Sequence, residues 1–169
     1  GGDGENGSVQ AFLDMHHISY TGSGAKACKI AMDKNITKLI SRSINIPTPN
    51  WIILTRDKCM GIKLQDNQSK RFSYPYVVKP CNEGSTIGLS IVNEESELDE
   101  AISLATEFSD DIIIEEFVPG RELTVGILGN KPLPIVEIKP IHNLYDYECK
   151  YTEGMSEYFV PAELTDSLK

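Results

Sequence analysis

The chain of 169 residues carries 16 lysines and arginines against 25 aspartates and glutamates, a formal net charge of −9. Hydrophobic residues at 40%, charged residues at 24%, and only 13 glycines and 9 prolines are ordinary globular usage, which excludes disordered, collagen-like and low-complexity classes. An acidic chain without a run of five basic residues repels a phosphate backbone, so nucleic acid is not an expected partner, and a bound polyphosphate would need a local cluster of lysines.

The glycine-rich start, GGDGENG, cannot hold a helix, and the first helix is expected from Ser8, capped by its hydroxyl, with Val9, Phe12 and Leu13 as its apolar stripe. Ile18 to Tyr20 reads as a short strand, residues 21–24 as a turn, and Ala25 to Met32 as a helix of small residues. Asp33 is a good N-cap for the next helix, in which Ile36, Leu39, Ile40 and Ile44 share one face, and Asn45, Pro47 and Pro49 end it. Trp51 to Thr55 is an expected strand, followed by a polar, mostly exposed stretch from Arg56 to Ser73. Tyr76 to Pro80 and Leu89 to Val92 are strands joined in hairpin fashion by CNEGSTIG. Ser96 with Asp99 signals a cap for a helix buried along Leu98, Ala101, Ile102 and Ala105. Ile112 to Val118, Glu122 to Leu128 and Pro134 to Lys139 are three further strands, with turns at Pro119-Gly120 and at residues 129–132. Strands with few helices between them after residue 110 indicate a largely antiparallel α+β fold.

Cys28, Cys59, Cys81 and Cys149 form no C-x-x-C pair, and His16, His17 and His142 form no H-x-x-x-H, so zinc has little support and the histidines, with no evident partner, read as structural. No metal ligand is assigned. No apolar stretch approaches the ~20 residues of a membrane span, and the acidic N-terminus is the reverse of a signal peptide, so a cytoplasmic protein with free thiols is expected, with no membrane partner.

Gly2-x-Gly4-x-x-Gly7 matches the dinucleotide fingerprint in letters only: no strand precedes it, and Asp3 and Glu5 would face a pyrophosphate with like charge. Neither a P-loop nor G-x-S-x-G occurs. More informative is Lys79 at the end of an apolar strand, followed by Glu83-Gly-Ser-Thr-Ile-Gly88. The lysine offers a point charge to phosphate oxygens, Gly84 and Gly88 let backbone N–H groups approach them, and Ser85 and Thr86 add hydroxyl donors; a surface hairpin with a snorkelling lysine has the same letters. Downstream, the strand end at Glu115, Glu116, Phe117 and Val118 can offer backbone groups to the edge of an adenine and apolar side chains to its face, with Glu122 placed to accept from ribose hydroxyls; the alternative is that Glu115, Glu116 and Glu122 are outward strand positions. Tyr145 to Tyr151, with three tyrosines, two acids and Lys150, reads as a loop, either a water-excluding lid over a phosphate or an edge loop packed by its tyrosines.

Taken in order, GENGSVQAFLDMHHISYTGSG, Met32-Asp33-Lys34, Pro47-Thr48-Pro49, VVKPCNEGSTIGLSIV, IIIEEFVPGRELTVGILG, LPIVEI and YDYECKYTEG resemble the D-alanine–D-alanine ligases of the ATP-grasp superfamily. The resemblance covers essentially the whole chain. Asn6, Ser19 and Thr86 depart from it, standing where Asp, Pro and Ser are usual. It implies the mixed α/β ATP-grasp fold, with residues 1–22 as the tail of a substrate-binding domain, 23–115 as the central ATP-grasp lobe and 116–169 as the start of the C-terminal lobe with its lid loop, incomplete at both ends. By the same resemblance Lys34 and Lys79 contact ATP phosphates, and the loop with Glu83, Gly84, Ser85, Thr86 and Gly88 closes over them. Glu115, Phe117 and Val118 line the adenine, Glu116 belongs to the nucleotide contacts, Glu122 meets the ribose, and Lys150 reaches the terminal phosphate. Ser85 and Tyr151 position the first D-alanine, and Glu5 lies near the second. ATP with Mg²⁺ (or Mn²⁺) is the implied cofactor set, its protein metal ligands lying outside these residues, and the implied assembly is a homodimer. The implied reaction joins two D-alanines through an acyl phosphate for peptidoglycan synthesis; the 169 residues by themselves are expected to be inactive. The alternatives are a D-alanine–D-lactate type ligase, or a non-catalytic nucleotide-binding module.

Overall fold

The structure is a computed structural model that describes residues 2–59, 73–142, 145–165 and 168. Most of the polar stretch expected to be exposed, residues 60–72, lies outside the described residues. The chain divides into two compact units, Gly1–Val118 and Pro119–Lys169.

The first unit is organised by a four-stranded sheet of β1 (Trp51–Thr55), which runs into the short helix α4 (Arg56–Cys59), β2 (Tyr76–Pro80), β3 (Ser90–Val92) and β4 (Asp111–Glu116), in the order β1-β4-β2-β3 with every pair antiparallel. The central strand β4 is apolar on successive residues, Ile112, Ile113 and Ile114, all fully buried, because both faces of the sheet are covered. One face, with Ile52, Leu54, Val78, Ile112 and Ile114, packs on Leu98, Ala101, Ile102 and Ala105 of α5 (Leu98–Thr106), the stripe expected from the sequence. Removing either isoleucine side chain from this core would cost about 2–5 kcal/mol. The start of α5 differs from expectation. Ser96 donates to Glu94 at 2.6 Å rather than capping, a 3-10 turn over Glu95–Glu97 leads in, and the Glu97 carboxylate accepts from the Asn93 amide at 2.7 Å.

The opposite face carries Trp51, Val77 and Glu115 in one register row and Ile53, Lys79 and Ile113 in the next. Above it lies α3 (Lys34–Ser43), whose cap is as expected: the Asp33 carboxylate accepts from the Ile36 amide at 2.9 Å. Its orientation is not. Ile36, Leu39, Ile40 and Ile44 are 40–59% exposed, whereas Lys38 is buried. The helix sits on the sheet by a polar stripe: Asn35 accepts from the Trp51 indole at 2.9 Å, Lys38 lies 5.1 Å and Arg42 4.3 Å from the centre of the Trp51 ring. A buried carboxylate and an aromatic face below select cations and amides above, and that requirement outweighs the hydrophobic period.

Before α3 stand α1 (Ser8–Met15) and α2 (Ala25–Met32). Ser8 begins α1 but does not cap it; its amide donates to the Asn6 side chain at 2.9 Å, and Gly7, at φ 92°, is the capping residue. Gly7 is required by contact as well as by φ, since a Cβ there would stand 2.4 Å from the Ala25 carbonyl oxygen. Helix packing thus accounts for Gly7, whereas a Cβ at Gly2 or Gly4 would meet nothing within 4 Å. Ile18 to Tyr20 is not a strand.

The second unit holds a three-stranded antiparallel sheet, β5 (Glu122–Thr124), β8 (Val136–Pro140) and β9 (Ser156–Phe159), in the order β5-β8-β9, and a small hairpin of β6 (Ile127–Leu128) and β7 (Lys131–Pro132). The single strand expected over Glu122 to Leu128 breaks at Val125-Gly126, where the Gly126 carbonyl accepts from Leu133 at 2.8 Å and a Cβ would meet the Leu133 side chain at 3.2 Å. Arg121 grips both oxygens of Glu137, at 2.7 and 2.6 Å, and donates to the Glu163 carbonyl at 2.9 Å, which holds the start of β5 against β8. The segment Tyr145 to Tyr151, expected as a loop, contains a short helix, α6 (Tyr147–Tyr151). Asp146 caps it, accepting from the Cys149 amide at 2.8 Å, and its other oxygen pairs with His142 Nδ1 at 2.8 Å, a partner the sequence did not reveal.

Two outcomes follow from these contacts. Gly88 has φ 65°, and a Cβ there would stand 2.7 Å from the Phe108 ring and 2.9 Å from Pro80, so Gly88→Ala is expected to destabilise by about 2 kcal/mol or more, read as a lower urea midpoint; an unchanged midpoint contradicts the placement. The Cys149 amide and, secondarily, His142 hold the Asp146 carboxyl below its ordinary 3.8, while Asp146 raises His142 above its ordinary 6.5. Stabilisation through Asp146 is therefore lost as pH falls through its depressed pKa, and stabilisation through His142 is lost as pH rises through its elevated one. Hydrogen-exchange protection of the Cys149 amide, corrected for intrinsic rate, should decline on the alkaline side of pH 6.5, and His142→Asn should abolish that decline; a decline that persists in the variant refutes the pairing.

Candidate functional site

Lys79 lies next to Ile113 in register, one row from Glu115 on the same face, a diagonal that a lysine side chain spans. Its amine pairs with Glu115 Oε1. The other oxygen, Oε2, is held by Lys38 at 2.8 Å, and Lys38 also donates to the Thr48 hydroxyl at 2.9 Å. Glu115 is only 7% exposed, so it is not an outward strand position. Burial lowers the pKa of Lys38, opposed by the bond to Glu115.

Lys34 sits one helical turn before Lys38. Its amine donates to the Cys81 carbonyl at 3.3 Å and to the Glu83 carbonyl, and its backbone amide donates to Cys81 at 3.1 Å. Burial, and then the charge of Lys79, lower the pKa of Lys34. The charges of Glu83 and Glu115 oppose that lowering, so Lys34 stands among charges of both signs. Cys81 is a poor nucleophile, its thiol pKa raised by burial.

The loop after β2 turns through Gly84–Ile87, closed by the Ile87 amide on the Gly84 carbonyl at 3.1 Å. Ser85 and Thr86 have φ of 53° and 64°, two successive non-glycine residues in the left-handed region, a strain of about 1–3 kcal/mol each that concentrates at ligand clamps. Glu5 reaches this loop: its Oε2 lies 3.4 Å from where a Cβ at Gly84 would be. The first unit therefore joins Lys79 to Glu115, Lys34 to the root of the loop at Cys81 and Glu83, and Glu5 to the loop at Gly84, with Ser85, Thr86 and Gly88 following in the same loop. A groove of about 810 Å³ opens beside Asn82, between the start of α1 and the α2–α3 corner, lined by Gly7, Ala11, Lys29, Ile30 and Ile36 among others. Its lining includes Lys26, Lys29 and Asp33 but neither Lys34, Lys79 nor Glu115, so the cluster around Glu115 lies outside it.

At the end of β4, the Glu116 amide donates to the Asn50 carbonyl at 2.9 Å and the Phe117 amide to the Pro75 carbonyl at 3.3 Å; Phe117 is half-buried and Val118 exposed. The Glu116 carboxylate accepts from the Asn50 side chain at 3.3 Å.

In the second unit Glu122 is exposed at the start of β5. Lys150 projects from α6 with its amine 5.2 Å from the centre of the Tyr145 ring, and Tyr151 is exposed, its ring 4.6 Å from that of Tyr147. The Tyr145 and Tyr158 hydroxyls lie 3.3 Å apart, and that bond pushes the Tyr145 phenol up to about 12.

Among the described residues one group of three side chains offers metal-ligand atoms within 4.8 Å of one another, His142, Asp146 and Cys149. Cap and ion pair account for Asp146 and His142, and the mixed N, O and S set is unlike the oxygen cage of Mg²⁺, so the described residues do not fit that ion. The thiols of Cys28, Cys81 and Cys149 are free. No helix among the described residues is long and apolar enough to cross a membrane.

The sequence reading missed Lys38 and Arg42. Their signal was present: Lys34, Lys38 and Arg42 follow one another at intervals of four, a cationic stripe on one face of the helix.

Residues 40–169 match the family model described as D-ala D-ala ligase C-terminus. The D-alanine–D-alanine ligase of Syntrophotalea carbinolica is 43% identical over 98% of this chain and 52% of its own, and that of Pediococcus pentosaceus 45% identical over 99% and 46%. The chain spans about half the length of these relatives. The crystal structure of D-alanine–D-alanine ligase from Bacillus anthracis complexed with ATP superposes with a TM-score of 0.78 at 33% identity, over 99% of this chain and 52% of that one. The antiparallel sheets, the strand-end lysine with its glycine loop and these likenesses agree, and the chain belongs to the D-alanine–D-alanine ligase family.

Proposed function

We propose that this chain is the ATP-binding part of a ligase that joins two D-alanine molecules to D-alanyl-D-alanine, the dipeptide of peptidoglycan precursors, with release of ADP and phosphate. The observation that carries this reading is the pair of half-buried lysines, Lys34 and Lys79, gathered beside Glu115 and the strained loop from Glu83 to Gly88. Ligands of opposite charge are what such a cluster accommodates in a chain of net charge −9, and the ATP-complexed relative supports a nucleotide as that ligand.

In this reading Lys34 and Lys79 neutralise phosphate oxygens, and the amides and hydroxyls of Ser85 and Thr86 complete the cradle. Phe117 and Val118 flank the adenine at the end of β4, with Glu116 beside it, while Glu115 holds its two lysines, and Glu122 accepts from the ribose. Lys150 meets the terminal phosphate. A carboxylate oxygen of one D-alanine, positioned by Ser85 and Tyr151, attacks the γ-phosphorus; the bond to the β–γ bridging oxygen breaks and ADP departs. The amine of the second D-alanine, near Glu5, then attacks the acyl carbon, loses a proton and expels phosphate. Acyl phosphates hydrolyse in water, so the segment from Tyr145 to Tyr151, with its apolar rings, serves to exclude solvent. Mg²⁺ would supply further charge neutralisation, through ligands other than the described residues. Homodimeric assembly belongs to the same reading.

The full-length protein, given ATP and D-alanine, is expected to release phosphate in proportion to D-alanyl-D-alanine formed. Lys79→Met should raise the KM for ATP at least tenfold, the loss of one charge-assisted contact. Residues 1–169 by themselves should bind ATP without releasing phosphate. Absence of D-alanine-dependent turnover in the full-length protein refutes the ligase reading, and turnover only with D-lactate as second substrate reassigns its specificity.

A further inference from the structure

Lys38 has no place in the reading above, yet it is the most deeply buried of the three lysines around Glu115. It is 8% exposed, and its amine is engaged by Glu115 Oε2 at 2.8 Å, by the Thr48 hydroxyl at 2.9 Å and by the face of Trp51 at 5.1 Å. An amine so enclosed does not touch a ligand; what it acts on is Glu115.

The charges decide what that action is. Lys79 and Glu115 alone would form a neutral pair, and a buried carboxylate with one cationic partner holds that partner tightly. Lys79 would then be occupied by its own strand neighbour. With Lys38 on the second oxygen, the three groups carry a net charge of +1, a surplus that Lys34 with Glu83 beside it leaves unchanged. The surplus resides on the lysines that face the loop, because Lys38 is enclosed beneath α3.

We propose that Lys38 is a positioning residue of the nucleotide site: by neutralising Glu115 from the helix side it leaves the charge of Lys79 available to a phosphate group. The inference rests on the nucleotide reading and adds a residue that acts through another. It separates the two parts of the ligand, since Lys38 should matter to the phosphates and be indifferent to the nucleoside.

The test compares ATP with adenosine as ligands of the full-length protein by calorimetry, in wild type, Lys38→Met, Lys38→Arg and the double variant Lys38→Met/Glu115→Gln. The ratio of the two affinities isolates the phosphate contribution whatever happens at the adenine. Lys38→Met should weaken ATP by roughly 10- to 100-fold and adenosine by less than about twofold. Lys38→Arg, which keeps the charge, should retain most of the ratio. The double variant carries the same net charge as wild type around Lys79 and should recover it; because it buries no unpaired carboxylate, it serves as the readout even where Lys38→Met fails to fold. The proposal is overturned if Lys38→Met keeps the wild-type ratio, or if the double variant leaves the ratio as low as Lys79→Met does. A wild-type protein that binds neither ligand overturns the nucleotide reading itself, and with it this inference.

Discussion

Taking a carboxylate out of water costs several kcal/mol unless cations and hydrogen bonds replace the hydration it loses. Glu115 imposes that constraint on the first unit. It projects from the central strand of the four-stranded sheet on the face away from the main core, 7% exposed, with each oxygen in an ion pair. Removing either partner would leave a buried charge half compensated, a loss of about 3–5 kcal/mol. The requirement for two cations is therefore a requirement on the chain around it: one lysine on the neighbouring strand β2 and one on a helix held over the sheet.

The rest of that face follows. Helix α3 has to present Lys38 downward, so its register is fixed and Lys34, one turn earlier, is carried to the carbonyls of Cys81 and Glu83 at the root of the loop. Asp33 both caps the helix and accepts from the Cys81 thiol at 3.5 Å, joining the helix start to the end of β2. Gly88 then packs the far side of the loop against Pro80 and Phe108, which leaves Ser85 and Thr86 in left-handed conformations at its tip. A glutamate in the sheet thus organises a helix, and the helix organises the loop on which the cationic site depends.

Much of the fold was legible in the sequence. Alternation and turn residues located β1 and β2 to the residue, and the stripe on α5 named four of the buried residues of the core. Residue chemistry singled out Lys79 and the glycine loop, with a snorkelling surface lysine as the alternative, and the order of motifs pointed to the family. What escaped was direction. Hydrophobic period says which residues of α3 share a face; it does not say which face turns inward, and Ile36, Leu39, Ile40 and Ile44 turn outward because Glu115 and Trp51 call for the polar one. Lys38 was missed for the same reason, since a cationic stripe on a helix reads as a solvated face until a carboxylate 77 residues later in the chain is folded beneath it. Caps failed where a neighbour competed: Asn6 replaced the Ser8 hydroxyl at α1, and Glu94 took the Ser96 hydroxyl before α5.

The claim that a doubly paired glutamate holds a lysine ready for phosphate is tested most directly by a crystal structure of the full-length protein with a non-hydrolysable ATP analogue. The account predicts Lys34 and Lys79 amines on phosphate oxygens, the loop from Glu83 to Gly88 against them, and Lys38 still bonded to Glu115 with no contact to the ligand. A triphosphate bound away from Lys34 and Lys79, or a Lys38 that leaves Glu115 to meet the phosphates, would contradict it.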